Sequence, residues 1–160
     1  MVSYRDGDTI LRGFLCADPA SVAARPGILV VHGGAGLDAH ARAQAARVAA
    51  LGYVVLACDM FGEGVAGDRD RTMAAISGLT GDPDRLCRRA QAGLEILGAH
   101  PQVDGRVAVV GYCFGGTTAL ELARAGVAVA CVASIHGGLR RLSGAAVKPA
   151  HTNSSDSRPR

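Results

Sequence analysis

A cysteine stands at the centre of the segment of this sequence that is best suited to chemistry. Residues 107–116 read VAVVGYCFGG, and the sequence continues as TTALELARA. The apolar run predicts a buried strand, the glycines predict a sharp turn, and the following residues predict a helix. This is the G-x-S-x-G pattern of a nucleophile elbow, with Cys113 in place of serine. Such a turn holds the nucleophile in a strained conformation, and Gly111 and Gly115 avoid collisions two residues to either side.

Cys113 is therefore the candidate catalytic nucleophile, because a thiolate is a strong nucleophile and a helix N-terminus favours the thiolate form. The alternative is a buried structural cysteine beside a glycine turn. The other four cysteines lie in apolar or helical contexts and are predicted to be inert; they are Cys16, Cys58, Cys87 and Cys131. The odd number and wide spacing of the cysteines indicate neither a zinc site nor a disulfide framework, and we expect a reduced cytoplasmic protein.

A second glycine turn, His32-Gly33-Gly34, follows the apolar run GILVV. In enzymes with a nucleophile elbow, an earlier turn donates one backbone N–H to the oxyanion and the residue after the nucleophile donates another. Here those donors would be Gly34 and Phe114. A phosphate-binding loop or a plain tight turn are the alternatives, although G-x-G-x-x-G is absent. His32 precedes the turn, so a structural role is expected for it.

Three further side chains could face the same site. Arg69 and Arg71 follow the strand that ends near Asp59, and either could bind a substrate carboxylate. A solvated run of charges is the alternative for both arginines. His136 follows the last predicted strand, but Gly137 and Gly138 beside it favour a role in a turn.

Alternating strands and helices must position these residues. Such alternation predicts a parallel sheet with helices on both faces, and ligands gather at the carboxyl ends of its strands. Three glycine-rich turns should therefore open onto one rim. Strands are predicted at residues 9–16 (at a sheet edge), 27–32, 53–58, 106–110 and 127–134, and helices at 38–51, 71–77, 82–97 and 115–125.

Composition excludes several function classes. The 160 residues are 49% hydrophobic and 19% charged, which is typical of one globular domain. No apolar run reaches the roughly 18–20 residues that span a membrane, and the N-terminus lacks the pattern of a signal peptide. The net charge of +3 arises in residues 140–160, which hold four arginines and one lysine against one aspartate. No aromatic residues interleave with these bases, so neither a nucleic-acid partner nor a membrane partner is expected.

Over about residues 1–139 the chain resembles the dienelactone hydrolase family of α/β-hydrolases. The resemblance rests on the segments GILVVHGGAGLDAHAR, GYVVLACDMFGEG, GYCFGG and SIHGGL. It implies a three-layer α/β-hydrolase-type fold with a mostly parallel sheet. It also implies a Cys-His-Asp triad that hydrolyses enol-lactones or related small-molecule esters through an acyl-enzyme, with no metal or organic cofactor. Cys113 would be the nucleophile of that triad, and Gly34 and Phe114 would form the oxyanion hole.

Two departures from the family pattern qualify this expectation. Family members often carry a glutamate near the nucleophilic cysteine, and Gly33 occupies that position here. The family places its triad aspartate and histidine after two later strands, whereas Asp156 and His151 lie in a segment without periodicity and receive no triad roles. We therefore expect a partial domain at 1–139, truncated before its last strands, and a disordered or foreign tail at 140–160. Such a chain should turn over little substrate; the alternatives are a catalytically dead binding protein that keeps the pocket and a nucleotide-binding domain.

Overall fold

A computed structural model of the chain describes residues 1–18, 20–21 and 23–143. Six strands and four helices occupy this part of the chain. In chain order they are β1 (Val2–Asp6), β2 (Thr9–Cys16), β3 (Arg25–Val31), α1 (Ala39–Ala49), β4 (Val54–Cys58), α2 (Arg69–Thr80), α3 (Pro83–Gly98), β5 (Val103–Tyr112), α4 (Phe114–Arg124) and β6 (Cys131–Ile135).

The strands form one sheet in the order β1-β2-β4-β3-β5-β6. β1 is antiparallel to β2, and β2 is antiparallel to β4, whereas β3 to β6 pair in parallel. The prediction of a mostly parallel α/β-hydrolase-type sheet is confirmed. Because β3, β4, β5 and β6 are parallel, their carboxyl ends meet at one rim of the sheet.

The central strands are apolar throughout because helices cover both faces of the sheet. In β3, Ile28 and Val30 belong to a core cluster with Ala41 and Ala45 of α1. Leu29 and Val31 alternate with them and belong to the larger cluster on the opposite face, which contains side chains from the other helices. A strand buried on both faces loses the alternation of apolar and polar residues that a half-exposed strand shows.

Aspartates begin the helices where the sequence places them. The Asp38 carboxylate accepts a hydrogen bond from the N–H of Ala41 at 2.8 Å, and the Asp82 carboxylate accepts one from Arg85 at 3.0 Å. Both are helix N-caps, as predicted. α2 is longer than the predicted 71–77, because Asp68 caps it and it runs on to Thr80.

The predicted strand at residues 9–16 is confirmed as β2, but its predicted place at a sheet edge is wrong. β2 lies between β1 and β4, and β1, which was not predicted from the sequence, forms this edge. β1 is anchored by Tyr4, whose hydroxyl donates to the carbonyl of Asp59 at 3.0 Å and accepts from its N–H at 2.8 Å. It is also anchored by Asp6, which pairs at 2.9 Å with the buried guanidinium of Arg89 in α3.

Strand boundaries differ near the other edge of the sheet. β5 is longer than the predicted 106–110, and β6 covers 131–135 rather than 127–134. Along β6 exposed residues alternate with half-buried ones. Within the described residues β6 pairs only with β5. The predicted tail lies, from residue 144 onward, outside the described residues, as do His151 and Asp156.

None of the helices in the described ranges is both long and apolar enough to cross a bilayer.

Candidate active site

Cys113 occupies the strained turn between β5 and α4. Its backbone has φ 54° and ψ −112°, a left-handed conformation that costs energy for any residue except glycine. A side chain at position 111 would overlap the carbonyl oxygen of Gly115, and one at position 115 would overlap the carbonyl of Val31. The two glycines therefore allow β5, α4 and β3 to approach closely enough to form the elbow. The Cys113 side chain projects to an exposed position.

The end of β6 holds the elbow from the other side. The N–H of Cys113 donates to the carbonyl of Ile135 at 2.9 Å, and the N–H of Gly138 donates to the Thr117 hydroxyl at 3.0 Å. A side chain on Gly137 would collide with the first turn of α4. His136 has φ 45°, and it and Cys113 are the only described residues other than glycine with a positive φ. The structure therefore places both strained residues at one junction.

Residues 33–36 form a tight turn after β3. Gly36 has φ 84°, its N–H donates to the carbonyl of Gly33, and an added Cβ would lie 2.9 Å from the Cβ of Ala66. The N–H groups of Gly34 and Phe114 donate no hydrogen bond within the described residues. They are therefore free to bind an anionic oxygen, and their assignment as the oxyanion hole stays a prediction.

His32 lies behind this turn as a neutral structural residue. Its Nε2 accepts a hydrogen bond from the N–H of Met60 at 3.1 Å, so its Nδ1 carries the proton and donates to the carbonyl of Gly33 at 2.8 Å. Its ring contacts those of Phe61 and Phe114, with centroids 4.6 and 6.3 Å away. Burial lowers the pKa of His32, and the hydrogen bond to Gly33 opposes this shift. Because both ring nitrogens are engaged, His32 cannot take a proton from Cys113.

A cavity of about 200 Å³ joins the elbow to the oxyanion turn. Cys113 and His136 line one side of it, and His40 and Gln44 of α1 line the other. The prediction that the glycine turns share one rim is confirmed for this pair of turns. The sequence analysis missed His40 and Gln44, although their spacing of four residues places them on one helix face. Within the described ranges, no group of three or more His, Cys, Asp or Glu residues is arranged to hold a metal ion.

Asp59 and the two arginines have different environments. One Asp59 oxygen accepts hydrogen bonds from the N–H groups of Phe61 and Gly62, both at 2.9 Å, so this carboxylate shapes the loop after β4. Arg71 pairs with Asp68 and donates to the carbonyl of Gly64, so its guanidinium already has two partners. Arg69 instead lines a second groove beside the oxyanion turn. Both arginines lie in the first turn of α2, which begins two residues before the predicted helix at 71–77.

The four remaining cysteines differ in burial. Cys58 and Cys87 are buried, and burial raises the pKa of both thiols, that of Cys87 to about 11. Burial also raises the pKa of the partly buried Cys16. Cys131 is exposed on β6. Cys113 and Cys131 are thus the thiols that a reagent in solution reaches most directly.

With this geometry established, the chain can be compared with known proteins. The sequence model of the dienelactone hydrolase family matches residues 11–158. The chain belongs to this family. No curated protein sequence matches it significantly.

Solved structures of family members resemble the chain closely. A protein named m3DLH has 41% sequence identity and a TM-score of 0.81, over 87% of this chain and 59% of its own. A dienelactone hydrolase-like promiscuous phosphotriesterase from metagenomic libraries has 43% identity and a TM-score of 0.81, over 86% of this chain and 58% of its own. The dienelactone hydrolase of Anabaena variabilis, at 24% identity and a TM-score of 0.60 over 82% of this chain and 59% of its own, shares the fold. The chain thus spans less than two thirds of the length of these relatives.

Proposed function

We propose that this family member hydrolyses a small ester or lactone, with Cys113 as the nucleophile. The observation that carries the proposal is the left-handed backbone of Cys113 at the N-terminus of α4, with its side chain exposed in a cavity shared with the oxyanion turn. Strain of this kind persists where the surrounding structure enforces it, and it concentrates at catalytic sites. A merely structural cysteine would have no need of this backbone.

The proposed reaction has two steps. The Cys113 thiolate attacks the carbonyl carbon, a C–S bond forms, and the carbonyl electrons move to the oxygen, which accepts hydrogen bonds from the N–H groups of Gly34 and Phe114. The carbonyl then re-forms, the C–O bond to the alcohol part breaks, and the alkoxide takes a proton from water. A second water hydrolyses the resulting thioester, which releases the acid and the thiol, and the thiol gives its proton to the hydroxide left by the first water. We assign no general base, since no described imidazole is hydrogen-bonded to Cys113.

A second candidate is a protein that binds the same class of ligand without turnover. It is favoured by the engaged nitrogens of His32 and by the missing imidazole partner of Cys113 within the described residues. General-base assistance contributes about 10²–10⁴-fold to such reactions. We therefore expect slow turnover by this chain, with acylation of Cys113 easier to detect than steady-state hydrolysis.

Stopped-flow measurement with p-nitrophenyl acetate separates the two candidates. A catalytic Cys113 gives a burst of one nitrophenol per chain and an acetyl adduct on the peptide that contains this residue. Cys113→Ala should abolish the burst, and Cys131→Ala, which removes the other exposed thiol, should retain it. Binding without a burst would favour the second candidate. Enol-lactones and phosphotriesters belong in the substrate panel, the latter because one relative is described as a phosphotriesterase.

We further propose a cytoplasmic location, since all five cysteines are free thiols, as is usual in a reducing compartment. We take residues 1–139 as the hydrolase-like domain and a small-molecule substrate as its partner. Cell fractionation with immunoblotting tests the location: recovery in the cytosolic fraction is expected, and recovery among secreted proteins would contradict it.

A further inference from the structure

A second groove lies beside the oxyanion turn, on the side away from Cys113. Its volume is about 340 Å³, and it runs between the turn and α2. Gly34 and Ala35 line both this groove and the cavity that contains Cys113. The two spaces are therefore neighbours across two residues of backbone, one of which is the proposed oxyanion donor.

The walls of the groove are mainly apolar. Met73 and Ile76 of α2 form one wall, and the Cδ1 of Ile76 is so near the turn that a Cβ at position 34 would lie 3.4 Å from it. Met73 is 58% exposed, which leaves a large apolar side chain uncovered at this site. The buried Thr72 uses its hydroxyl to donate to the carbonyl of Arg69 at 2.9 Å.

Two charged side chains also line the groove, those of Asp68 and Arg69. The Asp68 carboxylate accepts from two N–H groups of α2 and pairs with Arg71. The guanidinium of Arg69 forms no ion pair within the described residues, so an anionic ligand is the competing possibility. Since Arg69 is exposed while Ile76 is half-buried against the turn, the deeper part of the groove is apolar.

The position of the reacting carbonyl decides what the groove can hold. Under the proposed function, the carbonyl oxygen lies between the N–H groups of Gly34 and Phe114. One substituent of the carbonyl then remains in the cavity with Cys113, and the other lies next to Gly34 and Ala35, the two residues that also line the groove. We propose that the groove binds an apolar part of the substrate, with Met73 and Ile76 as specificity-determining residues. This inference rests on the proposed function and names its substrate class as esters with one apolar chain.

Alkylation of Cys113 by maleimides of increasing chain length tests the inference without any need for turnover. The reagents are N-ethyl-, N-butyl- and N-hexylmaleimide, and Cys131 on the same chain provides the internal standard by quantitative peptide mass spectrometry. Half-burial of each methylene gives about a twofold gain, so the Cys113:Cys131 rate ratio should rise about sixteenfold over the four methylenes added from ethyl to hexyl. Met73→Leu should retain this rise, and Met73→Glu should flatten it. Leu51→Glu, a matched change at a residue that is 76% exposed in the turn after α1, should leave the rise unchanged.

The outcomes separate this inference from the proposed function. A ratio that does not change with chain length, or a rise that survives in Met73→Glu, would overturn the apolar groove. The same holds if 6-maleimidohexanoic acid reacts as fast as the hexyl reagent, which would indicate anion binding at Arg69. Slow reaction of Cys113 with every reagent would instead overturn the nucleophile assignment itself. A length-dependent rise without an ester burst would retain the groove and remove the hydrolytic step.

Discussion

Buried His32 should make the fold sensitive to acid. In the folded chain the Nε2 of His32 accepts a hydrogen bond from the N–H of Met60. Protonation of Nε2 would replace this hydrogen bond with two N–H groups that point at each other. Burial therefore lowers the pKa of the imidazole, whereas in the unfolded chain it remains near 6.5. Above pH 6.5 both states are neutral, and this residue contributes no pH dependence. As the pH falls below 6.5, the unfolded state binds a proton that the folded state does not, so the free energy of unfolding decreases until the pH reaches the lowered pKa.

The magnitude follows from the transfer of one proton. The slope is at most about 1.4 kcal/mol per pH unit, so between pH 6.5 and 5.0 the loss is at most about 2 kcal/mol. That is a substantial part of the roughly 5–15 kcal/mol that stabilises a typical domain. Carboxylates titrate at lower pH and also change the free energy of unfolding. A variant that lacks the imidazole is therefore needed to isolate the contribution of His32.

Urea unfolding followed by circular dichroism at pH 5.0 to 7.5 provides the measurement. His32→Gln should be less stable than the wild type at pH 7.5 by about 1–3 kcal/mol, the usual cost of a buried N–H group that loses its partner. Its free energy of unfolding should nevertheless fall less steeply between pH 6.5 and 5.0. His40→Gln changes an exposed imidazole and should show the wild-type slope. Equal slopes for the wild type and His32→Gln would refute the reasoning.

Four other predictions concern the site and the fold. Iodoacetamide near pH 7 should label Cys113 faster than the other four cysteines, and equal labelling of any of them would count against the elbow. Gly33→Glu should slow that labelling severalfold compared with the neutral control Gly33→Gln, because a Cβ at this position lies 3.7 Å from the Cβ of Cys113 and a nearby carboxylate disfavours the thiolate. Arg89→Ala removes a buried guanidinium and leaves the partly buried Asp6 carboxylate without its partner, which should cost about 3–5 kcal/mol in thermal or urea unfolding, whereas Arg106→Ala at an exposed ion pair should leave the midpoint unchanged. The edge of β6 that has no partner strand within the described residues should promote association in size-exclusion chromatography and show weak amide-exchange protection; a monomer with strong protection there would contradict this.

Elements with a local signal could be predicted from the sequence. Asp38 and Asp82 begin helices because a carboxylate next to the first turn satisfies N–H groups that the helix itself leaves free. β3 and β4 were recognisable because a parallel strand covered on both faces must be apolar at every position. The elbow was recognisable because its glycines are required by backbone contacts that permit no other residue.

Elements that depend on distant partners could not be predicted in this way. β1 has only five residues, and its place in the sheet depends on the contact of Tyr4 with the loop after β4 and of Asp6 with α3. α2 has a weak pattern of apolar residues, because Met73 is exposed at the groove while Ile76, which also lines it, packs against the core. For β1 the deciding interactions join segments more than forty residues apart.

The opposite sides of the site also differ in how far sequence can predict them. Cys113 is fixed by residues within two positions of it, so its motif carries the prediction. His136 reaches the same cavity because Gly116 and Gly137 let β6 and α4 touch, and no spacing within SIHGGL shows that contact. The two residues, both with a positive φ, are joined by the hydrogen bond from the N–H of Cys113 to the carbonyl of Ile135, which directly precedes His136. The β6 turn therefore supports the nucleophile as well as forming a wall of its cavity.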